Sequence, residues 1–279
     1  MRTKGMATLM AATIAAGIGS ATAAQAGTVT VKGSDTMVVL GQRWAEEYMK
    51  KNPKTTIQVT GGGSGTGISA LINGTTDICA SSRAMKPAEK EKLRDRYNNT
   101  GVEIPVARDG LAVYVSATNA LTEISIPDLK GIFTGKITNW KQLGGPDANI
   151  IVYSRENSSG TYVFFKETVL GGADFTPRAQ TMPGTAAVVN AVSKEKFGIG
   201  YGGAAYAKGI KILKVKKDAG SPAINPEKAT VLNGTYPLAR PLFFYLRAKQ
   251  TGDIKSFIDW VLSADGQAIV EKVGYYPVK

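Results

Sequence analysis

Ser64-Gly65-Thr66 and Ser159-Gly160-Thr161 share one pattern, hydroxyl, glycine, hydroxyl, and each stands between a strand-like run and a helix-like run. The first turn of a helix offers amides without partners and the positive end of the helix dipole, so this layout aims N–H groups and hydroxyls at an anion. Ahead of the second copy, separated by Glu156-Asn157-Ser158, stands Arg155. Its planar fork suits the paired oxygens of a tetrahedral oxyanion better than the point charge of a lysine does. Two copies of the device and one such arginine point to an oxyanion clamp.

Other chemistries are poorly supplied. The chain of 279 residues has no histidine, which removes the usual general base, the usual zinc ligand and every imidazole-dependent triad. Cys79 is the only cysteine and therefore forms no intrachain disulfide. No Gly-Lys-Ser/Thr follows the Gly61–Gly67 run, which excludes a Walker A loop, and its glycine pattern does not fit a dinucleotide loop. Taken alone, that run also reads as a turn with no ligand. The formal net charge of +12 favours anions or acidic surfaces, but the lysines are scattered and solvated faces account for them. Without a basic stripe interleaved with aromatics, nucleic acid is not an expected partner.

The elements that must position these residues alternate as an α/β chain does. A strand is expected over 28–32, and Gly33-Ser34-Asp35 then leads into a helix over 36–51 with Ser34 or Asp35 as its N-cap. Met37, Leu40, Trp44 and Tyr48 recur at three- and four-residue spacing as its buried stripe, and Asn52-Pro53 stops it. A strand over 55–60 feeds the glycine run and a short helix carrying Ile68, Leu71 and Ile72, ended by Asn73-Gly74. Residues 76–83 read as a strand entering a polar turn, then a Lys- and Glu-rich surface helix to about residue 97. Arg83 in that turn is either a second ligand cation or a partner for a nearby glutamate.

Apolar runs at 111–116 and 241–247 are the expected hinge strands, by which the chain crosses to a second lobe and returns. Between them a helix and turn span 126–140, and a strand over 149–154 delivers Arg155. The helix that follows puts Tyr162, Phe165 and Val169 on a core face and ends at Gly171-Gly172. A last helical region is expected over 253–273. Residues 1–26 read as a secretory signal, with Arg2 and Lys4 at its basic start and cleavage after Ala26. Export without an anchor predicts a periplasmic protein.

Gly33-Ser34-Asp35-Thr36-Met37, the Gly61–Gly67 run, Cys79-Ala80-Ser81-Ser82-Arg83 and Arg155-Glu156-Asn157-Ser158-Ser159-Gly160-Thr161 stand in an order that resembles the binding segments of the periplasmic phosphate-binding proteins of phosphate ABC transporters. The likeness is not confined to them. It continues through Val106-Ala107-Arg108-Asp109-Gly110, the 132–140 segment, Tyr236-Pro237-Leu238-Ala239-Arg240-Pro241 and Gly274-Tyr275-Tyr276-Pro277. It implies a two-lobed α/β binding protein of the second structural type, with a ligand cleft and two hinge strands. The lobes would be 27–112 with 238–279, and 113–237. The implied partners are inorganic phosphate and the membrane permease and ATPase subunits of the transporter; a monomer suffices, with no cofactor, no metal and no enzymatic step. The implied phosphate-binding positions are Ser34, Asp35, Thr36, Met37, Ser64, Ser82, Arg83, Arg155, Ser159, Gly160 and Thr161.

One position departs from the family's best-known pattern. Ser82 stands where an aspartate accepts the proton of hydrogen phosphate, the contact by which such a site rejects sulfate. Asp35, inside the first segment, is expected to take over that role; the alternative is that it only caps its helix. Two rival functions remain at this level: a binding protein for another oxyanion, sulfate or molybdate, and a secreted phosphatase or esterase using Ser64 or Ser159 as nucleophile.

Overall fold

Alternation of Thr and Val in β1 (Gly27–Gly33) buries Val29 and Val31 on one face, and a turn of 3-10 helix at Asp35–Met37 then leads into α1 (Val38–Lys51). The computed structural model describes residues 27–278; the expected signal and its cleavage site after Ala26 lie outside them. Leu40, Trp44 and Tyr48 are buried along α1 as their spacing predicts, with Met37 just ahead of it. The chain continues through β2 (Thr55–Thr60), α2 (Ser64–Asn73), β3 (Ile78–Ser81) and α3 (Pro87–Tyr97). Gly74 closes α2 at φ 77, a left-handed position that suits glycine.

β4 (Val102–Val115) is longer than the apolar run alone indicates, since its opening residues Val102 to Pro105 alternate half-buried and exposed and Arg108 is exposed. There follow β5 (Glu123–Ser125), α4 (Ile126–Phe133), β6 (Ile151–Arg155), α5 (Gly160–Thr168), β7 (Gln180–Met182), α6 (Thr185–Lys194), β8 (Gly198–Gly203) and β9 (Lys211–Lys216). After α7 (Lys228–Leu232) the chain returns along β10 (Ala239–Leu246) and ends in α8 (Gly252–Val261) and α9 (Ala264–Val273). The expected single helical region over 253–273 is thus two helices. Ser263 breaks it, its hydroxyl accepting from the Gly266 amide at 3.4 Å as the N-cap of α9.

The strands run in the order β2-β1-β3-β10-β4-β8-β6-β7. β4 serves three partners: Val102 to Gly110 pair antiparallel with β10, whereas Leu111 to Val115 pair antiparallel with β8 and Val113 to Val115 also with β9. The crossing between lobes therefore lies at Asp109–Leu111 and Leu238–Arg240, at the edges of the apolar runs. Each side has its own core. Trp44 packs edge-on to Phe244 at 5.6 Å among Val31, Leu40, Phe257 and Val261. On the other side Phe165 stacks on Tyr201 at 4.0 Å and meets Phe133 edge-on at 4.7 Å, with Trp140 and Leu213 in the same cluster. No helix among the described residues is long and apolar enough to cross a membrane.

Candidate functional site

β1, β2 and β3, parallel to one another, and β6, parallel to β7 and β8, all end at one place, and ligands of open α/β sheets bind outside such carboxyl ends. β1 delivers Ser34, Asp35, Thr36 and Met37; β2 delivers the glycine run and Ser64; β3 delivers Ser82; β6 delivers Arg155 and, past a short turn, Ser159, Gly160 and Thr161. Ser34, Thr36, Ser64, Ser82, Ser159 and Thr161 are all buried.

Their hydroxyls form one cluster. Ser34 Oγ donates to Ser82 Oγ at 2.9 Å, and the Ser82 amide donates to Ser64 Oγ at 3.1 Å. Thr36 Oγ1 and Thr161 Oγ1, from opposite sides of the crossing, are 2.8 Å apart, and Ser82 Oγ lies 3.5 Å from Thr161 Oγ1. Gly160 is required here. A Cβ at that position would stand 2.2 Å from Ser64 Oγ and 2.8 Å from Ser82 Oγ, so only a glycine lets α5 bring its first amides onto the cluster. Ser159 caps α5, accepting from the Tyr162 amide at 3.3 Å, and the Met37 amide donates to the Ser34 carbonyl at 2.9 Å.

Two tyrosines hold the first segment from behind. Tyr275 donates to the Thr36 carbonyl at 2.6 Å and Tyr206 to the Asp35 carbonyl at 2.8 Å. Burial pushes the Tyr206 phenol up to about 12 and raises Tyr275 well above its ordinary value, so both stay protonated donors.

Arg155 is buried at the rim of the cluster with its side chain 1% exposed. Its Nη2 donates to Asp35 Oδ2 at 2.8 Å and to Glu156 Oε1 at 2.9 Å, Nε to Glu156 Oε2 at 3.2 Å, and Nη1 to Thr185 Oγ1 at 2.9 Å. Partial burial works to raise the Glu156 pKa, but the Arg155 hydrogen bonds and charge outweigh it and hold the carboxyl below its usual range. Asp35 does not cap its helix: Oδ1 accepts from the Gly62 amide at 2.8 Å, across the loop, while Oδ2 serves Arg155. Arg83 is not brought into the cluster. Its guanidinium grips Glu89 with two bonds of 2.8 and 2.7 Å, the ion-pair alternative open from the sequence.

Three polar residues here escaped sequence reasoning. Thr185 opens α6 and holds Arg155; Asp109 and Arg240 form a buried ion pair across the crossing strands, with Nη2 to Oδ2 at 2.8 Å. Burial raises the Asp109 pKa and the Arg240 charge opposes that rise. The one available signal was a single acid and a single arginine, each at the border of an apolar strand run, 131 residues apart.

A PBP superfamily domain is recognised over residues 19–265. Among curated proteins, the phosphate-binding protein PstS of Pseudomonas aeruginosa is 34% identical, with 95% of this chain and 92% of that one covered. PstS of Bacillus subtilis is 35% identical, with 90% of this chain and 81% of that one covered. Among solved structures, a protein of Clostridium perfringens described as a phosphate ABC transporter substrate-binding protein, with bound phosphate, superimposes with a TM-score of 0.81. It is 32% identical, and the match covers 91% of this chain and all of that one, 100%.

Proposed function

Because the chain belongs to the PBP superfamily and, within it, to the family of PstS phosphate-binding proteins, we propose that it binds one inorganic phosphate between its lobes and presents it to the permease and ATPase subunits of an ABC transporter. The lobes are the two sides of the strand crossing, which falls within a few residues of the bounds expected from the sequence, 27–112 with 238–279, and 113–237. The observation that carries this reading is the meeting of hydroxyls from both sides of the crossing, Thr36 with Thr161 at 2.8 Å, over the first turn of α5. A dianion taken out of water needs many donors at once. Ser34, Thr36, Ser64, Ser82 and Thr161 supply hydroxyls, and the Ser159-Gly160-Thr161 turn supplies amides at a helix N-terminus. Arg155 uses four of its five N–H groups on Asp35, Glu156 and Thr185, and the remaining Nη1 proton goes to the phosphate.

Mechanism follows from where the contacts lie. Phosphate that touches both lobes makes its full set of bonds only when they are closed, so it stabilises the closed state by that difference. No bond is made or broken. The protein acts in the periplasm as a monomer after loss of residues 1–26, which keeps the whole cluster in the mature chain.

Calorimetric titration of the protein, stripped of bound ligand, with phosphate and separately with sulfate tests this. One phosphate per chain with sulfate excluded is the expected result. Sulfate binding without phosphate binding would overturn the substrate, and binding of neither would overturn the function.

A further inference from the structure

Whereas Arg155 bonds Asp35, Glu156 and Thr185, a second buried guanidinium bonds a hydroxyl of the cluster itself. Arg240, its side chain 1% exposed, donates from Nε and Nη2 to Asp109 Oδ2 at 3.0 and 2.8 Å. Its Nη1 donates to the Ser82 carbonyl at 3.1 Å and its Nη2 to Thr161 Oγ1 at 3.0 Å. The Phe164 ring lies 5.2 Å from the guanidinium carbon. These partners come from separate parts of the fold. Asp109 faces Arg240 in register on β4, Ser82 follows β3, and Thr161 and Phe164 belong to the first turns of α5.

A threonine hydroxyl donates or accepts, whereas a guanidinium only donates. Thr161 therefore accepts from Arg240, and its own proton must point elsewhere, toward the cluster where Thr36 Oγ1 stands 2.8 Å away. An oxyanion site needs hydroxyls that donate. A buried ion pair is a costly way to stabilise a strand crossing, since two apolar residues would serve there as well. Its position beside the hydroxyls gives it a use that two apolar residues lack.

We propose that Arg240, held by Asp109, is a positioning residue of the anion site: it makes Thr161 an obligate donor to the bound phosphate and, by bonding Ser82 and Thr161 together, ties the first lobe to the second when they close. The proposal rests on the reading of Thr161 as a phosphate ligand, and the test separates the two.

The experiment is a double-mutant cycle read by phosphate titration. Asp109→Asn with Arg240→Met removes the pair without leaving a buried charge alone, and is compared in the Thr161 protein and in a Thr161→Val background. The expected result is a loss of about tenfold in affinity in the first and less than about twofold in the second, because the arginine acts through that hydroxyl. Equal losses in both backgrounds would reduce the pair to a structural brace and overturn the proposal. If Thr161→Val binds phosphate as tightly as the parent, Thr161 is no ligand and the proposal falls with that reading. Should the paired variant fail to fold, Arg240→Lys, which keeps the charge on Asp109, runs through the same cycle. Its loss is again expected only where Thr161 is present, and an equal loss in both backgrounds overturns the proposal here too.

Discussion

Asp35 shows how much a single residue's role depends on its neighbours. As a residue type ahead of a helix it reads as a cap or as an acceptor for a ligand proton, yet its two oxygens serve Arg155 and the Gly62 amide. A carboxylate has about four lone-pair sites, so these two bonds leave capacity to accept from hydrogen phosphate. Replacing Asp35 by Asn keeps the shape and removes the charge. The expected outcome of Asp35→Asn is weaker phosphate binding and a phosphate-over-sulfate preference narrowed by about tenfold, measured by competition titration. An unchanged preference would limit Asp35 to holding Arg155. Arg83 teaches the complementary lesson: Glu89 lies six residues on, in the first turn of α3, and the local ion pair takes the guanidinium. Both of its roles were legible in the chain, and only the placement of Glu89 chose between them.

Among the elements, α5 bears most directly on function. Its start at Gly160 was legible from Ser159-Gly160-Thr161, because the cap and the glycine are local signals. What the helix touches was not legible, since Ser64 and Ser82 are brought to it by β2 and β3 from distant parts of the chain. Gly160→Ala sets a methyl where those hydroxyls stand, and the protein can relieve it by holding its lobes apart. Phosphate affinity should fall about 10- to 100-fold, the weight of about 1–3 kcal/mol for overfilling a packed space, while the melting curve without phosphate is nearly unchanged. Titration beside a thermal melt checks this, and full affinity in the variant would mean that α5 does not approach so closely. The long β4 was only half legible for a related reason: its opening residues, Val102 to Pro105, face solvent at alternate positions and lack the apolar run that marks its second half.

At the scale of the whole molecule, two cores share one strand pair. Trp44 lies buried in the first core and Trp140 in the second, so each reports on its own side. A ligand that bonds both sides stabilises both together, by about 4 kcal/mol at a thousand times its dissociation constant. Urea unfolding followed with single-tryptophan variants should therefore show both signals moving to higher denaturant with phosphate by the same amount. If only one signal moves, the ligand is held by one lobe and closure is not the mechanism.

By itself, the sequence determined the α/β alternation, the buried stripe of α1, the Ser159 cap of α5 and the glycine turns that open the binding segments, with Arg155 close ahead of Ser159-Gly160-Thr161. Those features depend on periodicity and on residues close along the chain. Only the tertiary structure decided which hydroxyls meet, that Asp35 and Glu156 share Arg155, that Arg83 turns to Glu89, and that Asp109 and Arg240 face each other under Thr161. A buried polar contact between residues 131 positions apart leaves no periodic trace, because its partner is set by strand register and helix docking.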